Sequence, residues 1–226
     1  MQAITKMQIQ MKKIIIAIMA VALPLMVQAQ SEGLISRKAP KGKSEMSVYT
    51  AKGAVPEEAG RVAFKDVIAA PGKGKEDIFN KLSQWASLRY APNTMMGDDY
   101  RDANFFKNIE YAKVKEADKQ SGKIECQGAE ELIFSVKPLA KNYTQAFYLL
   151  DLNVSDGKVE FDLNTLSFNV DQGEGEFLRM NAEEWITDAK CLSKKGDLKR
   201  MNGKFRIKTI DLVNELKKEI SEAINK

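Results

Sequence analysis

Between Val62 and Ile68 the chain reads Val-Ala-Phe-Lys-Asp-Val-Ile, a β-branched and aromatic run that predicts a strand, and Ala69-Ala70-Pro71-Gly72 ends it. The apolar period then lengthens. Ile78, Leu82, Trp85 and Ala86, with Phe79 beside them, recur at three-and-four spacing and predict a helix from about Lys75 to Arg89. Asp77 in its first turn complements the helix dipole. On this stripe Trp85 is expected to be core. Pro92 to Asn104 reads as a loop, after which the period shortens again. Strands are predicted over Lys107 to Lys115, Gly122 to Gln127, Glu131 to Val136, Thr144 to Val154 and Lys158 to Val170.

The clearest join is Ser155-Asp156-Gly157, because Asp-Gly supplies the positive φ values of a tight hairpin. Around it Tyr148, Leu150, Leu152 and Val154 alternate on one strand, and Val159, Phe161 and Leu163 on the next. The parity then switches to Leu166, Phe168 and Val170, which predicts a bulge near Asn164-Thr165 and a bent sheet. Asp171 to Glu176 reads as a turn leaving the sheet. Asn181 with Glu183 and Glu184 reads as a capping box opening a short helix through Leu192 that buries Trp185, Ile186, Ala189 and Leu192. The last and longest helix runs from about Thr209 to Ile224, with Ile210, Val213, Leu216, Ile220 and Ile224 as its stripe. The order of elements predicts an α+β fold: a curved antiparallel sheet covered on one face by helices.

One further pattern concerns destination. Met11-Lys12-Lys13, the apolar run Ile14 to Val27 and the small-residue site Val27-Gln28-Ala29 have the form of a secretory signal cleaved after Ala29. The run is short of the ~20 residues that span a bilayer. The chain therefore divides into a signal peptide (1–29), a flexible polar leader (30–46), an α+β domain (47–171) and a C-terminal helical extension packing on the sheet (172–226). The expected location is the periplasm or outside the cell, in soluble form. Lipid anchoring needs a cysteine at the cleavage point, and the first cysteine is Cys126.

Composition narrows the chemistry. The 226 residues contain no histidine, which removes Ser-His and Cys-His nucleophile activation and histidine metal ligation. The formal charge of +4 loses Lys6, Lys12 and Lys13 with the signal, leaving 32 basic against 31 acidic residues. Steering toward nucleic acid is not expected from that balance. Cys126 and Cys191 either pair as a disulfide, which export permits, or sit as two buried free thiols. Asp98, Asp99 and Asp102 read as a solvated acidic turn because they lack the alternating spacing of a calcium loop, and the acidic, glycine-rich run Asp171 to Glu176 reads as a flexible turn, with a weak calcium or cation site as its alternative. No metal or cofactor is implied.

The order and spacing of Gly60-Arg61-Val62, Pro71-Gly72 leading to Ile78 and Trp85, Asp156-Gly157-Lys158, and the tail Phe205 to Asp211 resemble a family of exported Bacteroidetes proteins that carry a domain of unknown function with a TATA-binding-protein-like fold. The resemblance is clearest from Val55 to Val170. It implies a strand, a helix, a curved antiparallel sheet and a closing helix, and it brings no catalytic residues.

Two functions follow as expectations. The first is a non-catalytic binding or interaction module of the envelope, meeting a protein, glycan or small ligand through a basic surface of Lys194, Lys195, Lys199, Arg200, Lys204 and Arg206. A solvated linker is the competing reading of that run. The second is a small-molecule binder or enzyme with a pocket between the sheet and the C-terminal helix, lined by Trp85, Tyr148, Phe161 and Phe168, with Tyr90, Tyr111 and Tyr143 as paper candidates for general acids.

Overall fold

The computed structural model describes residues 43–90, 112–137, 140–173 and 175–225. The signal and most of the polar leader, the loop Pro92 to Asn104 with its aspartates, and Tyr111 lie outside the described residues. A helix α1 (Lys43–Thr50) opens the described chain, followed by a two-residue ribbon of β1 (Glu57–Glu58) and β2 (Arg61–Val62). Then come β3 (Phe64–Ala69), α2 (Lys75–Arg89), β4 (Lys113–Asp118), β5 (Lys123–Lys137), β6 (Ala140–Ser155), β7 (Lys158–Gly173) and β8 (Glu176–Asn181). The single-turn helices α3 (Ala182–Trp185) and α4 (Asp188–Cys191) and the long α5 (Arg200–Asn225) finish it.

The main sheet is antiparallel throughout, in the order β3-β7-β6-β5-β4, and β8 joins the far half of β7. Along one edge, β7 holds β3 from Lys158 to Leu163 and β8 from Ser167 to Gly173. A bulge separates these halves. The β6–β7 register slips between Phe147 opposite Ser167 and Leu149 opposite Asn164, and Thr165 takes a φ of 51°. The parity switch in the sequence has this cause: one extra residue turns Leu166 and Phe168 back to the face used by Val159, Phe161 and Leu163.

α2 lies over β6 and β4, and α5 packs on α2, β5 and β3. Between helices and sheet the interior is filled. Ile78 and Leu82 from α2, Leu216, Ile220 and Ile224 from α5, and Leu150, Leu152 and Phe161 from the sheet are all at most 2% exposed. The Asp-Gly turn helps to fix α2. Of the Asp-Gly pair only Gly157 has positive φ, and the Asp156 Oδ1 accepts the Lys75 N–H at 2.7 Å, doing for the helix start what its N-cap Gly74 cannot.

Several expectations change. The two strands from Gly122 and Glu131 are one, β5, because Gly128 is not a break. The glycine makes room for Tyr148, whose ring atoms would lie 2.1–2.5 Å from any added Cβ. The turn at Asp171 to Glu176 is a hairpin that returns as β8, so the sheet continues past residue 171. β8 is mostly exposed and lacks an apolar alternation, so the period had nothing to report. The helix expected through Leu192 is two single turns. Asn181 makes no side-chain cap, Glu183 instead accepts the Val62 N–H at 2.7 Å, and Ala189 is exposed. Trp85 is half-buried, its indole N–H donating to Glu219 at 3.2 Å. α5 begins at Arg200, well before Thr209. The charges of Arg200, Lys204, Arg206 and Lys208 obscure the stripe, and Gly203 lets the first turns close on Leu198.

Candidate functional site

The residues of the basic run separate in space. Lys194, Lys195 and Arg200 are exposed around the connection from α4 to α5. Lys199 reaches back, its Nζ donating to the Ala189 and Lys190 carbonyls at 3.3 and 2.9 Å, where the end of α4 carries partial negative charge. Arg206 is not part of any surface. It is fully buried, donating to the carbonyls of Tyr49, Ile186 and Ala51 at 2.7, 3.0 and 3.1 Å and pairing with Asp188 at 2.7 Å. The guanidinium ties α1, the α3–α4 turn and α5 together, because a buried charge persists only when its donors are matched. The sequence assigned it to the surface on charge alone.

Lys204 differs from all of these. It is half-buried on the inner side of α5, with its Nζ 4.3 Å from the centroid of the Phe134 ring and 5.5 Å from that of Phe205. Burial lowers its pKa. Among the described residues it has no carboxylate partner. It lines a cleft of about 360 Å³ where the sheet outruns the start of α5, together with Phe134 of β5, Thr144 of β6, Asn169 of β7, Phe177 of β8, Trp185 of α3 and Met201 of α5. Phe205 organises the floor. Its ring meets Phe134 at 4.8 Å, and Phe168 and Trp185 edge-on at 5.4 and 5.6 Å. Phe177 is 41% and Met201 64% exposed at the rim, so apolar surface faces water there beside an ammonium.

Of the residues expected to line a pocket under the helix, Tyr148, Phe161 and Phe168 are core residues, at most 2% exposed. What lies there is a buried polar cluster that the sequence reading missed. Arg89 at the end of α2 pairs with Glu130 of β5 at 2.8 Å and with Glu219 of α5 at 3.1 Å. The Tyr148 hydroxyl donates to Glu130, and the Tyr90 and Tyr148 hydroxyls are 3.2 Å apart. The available signal was Glu130, an acid at an inward position between Gly128 and Leu132. Burial pushes both phenols well above the usual tyrosine pKa, which makes Tyr90 a weaker acid than a free phenol, and its side chain is 1% exposed. Burial opposes the charge on Arg89, yet Glu130 and its neighbours hold its pKa well above the usual value. Tyr143 lines the cleft, half-buried.

Cys126 and Cys191 are both free and buried. Burial raises their pKa values to about 12 and about 11. The thiolate is the reactive form, so both thiols should resist a thiol reagent at pH 8 in the native protein and react in denaturant. A thiol count of zero in denaturant would mean that they are paired instead. Among the described residues no group of three or more Cys, Asp or Glu side chains is placed to hold a metal ion.

Residues 64–169 match the family described as a domain of unknown function (DUF4468) with TBP-like fold. Two solved structures are similar. A DUF4468 family protein from Bacteroides ovatus is 26% identical, with a TM-score of 0.65 over 83% of this chain and 97% of that one. A TBP-like protein from Parabacteroides distasonis is 19% identical, with a TM-score of 0.56 over 76% of this chain and 97% of its own, a likeness of fold alone. No curated protein matches.

Proposed function

We propose that this chain, whose residues 64–169 form a DUF4468 domain of TBP-like fold, is an exported, non-catalytic binding module of the bacterial envelope that holds its ligand in the cleft beside the first turns of α5. The observation that carries the reading is Lys204: an ammonium drawn partly out of water, without a carboxylate partner among the described residues, over aromatic rings and beside the exposed Phe177 and Met201. A ligand complementary to this arrangement has one anionic group and an apolar body. Its charge replaces water at Lys204, and its body covers Phe177, Met201 and the half-buried Trp185. Lys194, Lys195 and Arg200 remain on the approach as weak, salt-sensitive attraction.

Export is supported by the pattern from Met11 to Ala29. Among the described residues no helix is long and apolar enough to cross a membrane. Binding is favoured over catalysis because the phenols of Tyr90 and Tyr148 and both thiols are buried with their pKa values moved away from neutrality. Nucleic acid is disfavoured by the charge balance, 32 basic against 31 acidic residues once the signal is removed, which gives no net attraction to a phosphate backbone.

Trp185 lines the cleft and serves as the reporter in a Trp85→Phe background. Octanoate, below its micellar concentration, should quench it saturably, and octylammonium should not. Lys204→Met should weaken octanoate by about tenfold or more, as loss of one charge-assisted contact of ~1.5–3 kcal/mol predicts. Equal responses to the two amphiphiles, or an unchanged affinity in Lys204→Met, would reject the site.

A further inference from the structure

A second concavity lies on the open face of the sheet, and its origin is the bulge in β7. On that edge of β7 the ladder to β3 ends at Leu163 and the ladder to β8 starts at Ser167, so Asn164 to Leu166 form the floor of a notch between two strands. The β1–β2 ribbon and the start of α3 wall it, giving a groove of about 780 Å³. Thr165 on the floor and Ala59 in the ribbon's turn, at φ 51° and 50°, are the positive-φ non-glycine residues among the described ones. A β-branched residue in that conformation is strained, so the notch is held open against a local cost.

The lining carries three cations, Arg61, Lys65 and Arg179, and three acids, Glu58, Asp162 and Glu183. Only one ion pair forms among them. Lys65 is engaged by Glu58, and one Glu183 oxygen by the Val62 N–H. Arg61 and Arg179 have no carboxylate partner among the described residues. Arg179 is nevertheless fixed in place. Its Cζ lies 3.9 Å from the centroid of the Phe147 ring, and its Nε donates to the Ser167 hydroxyl at 2.9 Å. That leaves the two terminal nitrogens of an oriented guanidinium, a fork that suits a carboxylate. One Asp162 oxygen accepts the Asn164 amide at 3.3 Å; its other oxygen and the second Glu183 oxygen are acceptors in the same groove, and Asn181 offers an amide.

We propose that this groove is a second binding site, independent of the α5 cleft, for a hydroxylated carboxylate of the uronate type. The carboxylate meets Arg179, with Arg61 adding charge, and the sugar hydroxyls donate to Asp162 and Glu183. Balanced lining charge selects this class. A phosphate group brings more negative charge than three nearby carboxylates tolerate, and an apolar ligand would bury polar groups without partners. A neutral sugar leaves both guanidiniums unmatched.

The test is calorimetric titration of the full chain with glucuronate, glucose and inorganic phosphate at low salt. Glucuronate should bind saturably, with glucose and phosphate at least tenfold weaker. Arg179→Gln should lose at least tenfold in glucuronate affinity with its thermal midpoint retained, and Lys204→Met should bind glucuronate as the wild type does. Should Arg179→Gln fail to fold, Arg61→Gln is expected to weaken binding severalfold without that complication. Absence of glucuronate binding, glucose or phosphate binding as well as glucuronate, or full affinity in a folded Arg179→Gln or in Arg61→Gln would overturn the proposal.

Discussion

Leu216→Asp is expected to abolish the cooperative thermal transition, and deleting α5 from Arg200 onward should do the same. Leu216 is fully buried where α5 meets the sheet and α2, so an aspartate there has neither water nor a counter-charge. Deletion exposes more. Phe205, Leu212, Val213, Leu216, Ile220 and Ile224 are each at most 3% exposed, and burying each such side chain contributes ~1.5–3 kcal/mol. A typical domain is stable by only ~5–15 kcal/mol. Phe134 and Phe168, which meet the Phe205 ring from the sheet, would lose their cover as well. Calorimetry decides the matter. A preserved transition in the truncated protein would show that the sheet and α2 suffice, and that the stripe on α5 serves a partner instead.

The second large effect is expected from Arg89→Met, and equally from Glu130→Leu. Either change leaves one charge of the pair in an interior where Arg89 is 8% and Glu130 2% exposed, which costs about 3–5 kcal/mol. For a domain of this size that lowers the midpoint by roughly 6–20 °C. The double variant Arg89→Met/Glu130→Leu should be more stable than either single one, because it removes both charges. Glu219 sets a limit on the recovery. Burial raises its pKa, and without Arg89 it retains the Trp85 N–H. Additive losses in the double variant would show that the pair is not coupled.

The buried pair also shows where a linear reading stops. α2 was legible because Ile78, Leu82 and Ala86 repeat on one face over the span from about Lys75 to Arg89. The β6–β7 hairpin was legible for the same reason, and so was its bulge, since a slip of one residue must invert the parity of every later apolar position. Arg89 and Arg206 were not. Each carries a charge that reads as solvated until its partners arrive from elsewhere in the chain, Glu130 and Glu219 for one, Tyr49, Ile186 and Asp188 for the other. Of the candidate site, Lys204 could be named from the basic run. Its separation from Lys194, Lys195, Lys199 and Arg200 could not, because α5 winds through that run and turns Lys204 toward Phe134, seventy residues earlier.

The sequence by itself determined the α+β class, the antiparallel sheet, the helices that cover it and the absence of histidine chemistry. These are properties of short-range period and composition, and they survive without knowledge of what faces what. Only the tertiary structure decided that the interior under α5 is filled, that the cysteines are buried and free, that β8 completes the sheet, and that Lys204 and Arg179 line two different concavities. Those facts depend on distances between residues far apart in the chain. A charge acquires its role from the partner it finds or lacks in space, and neither period nor composition encodes that.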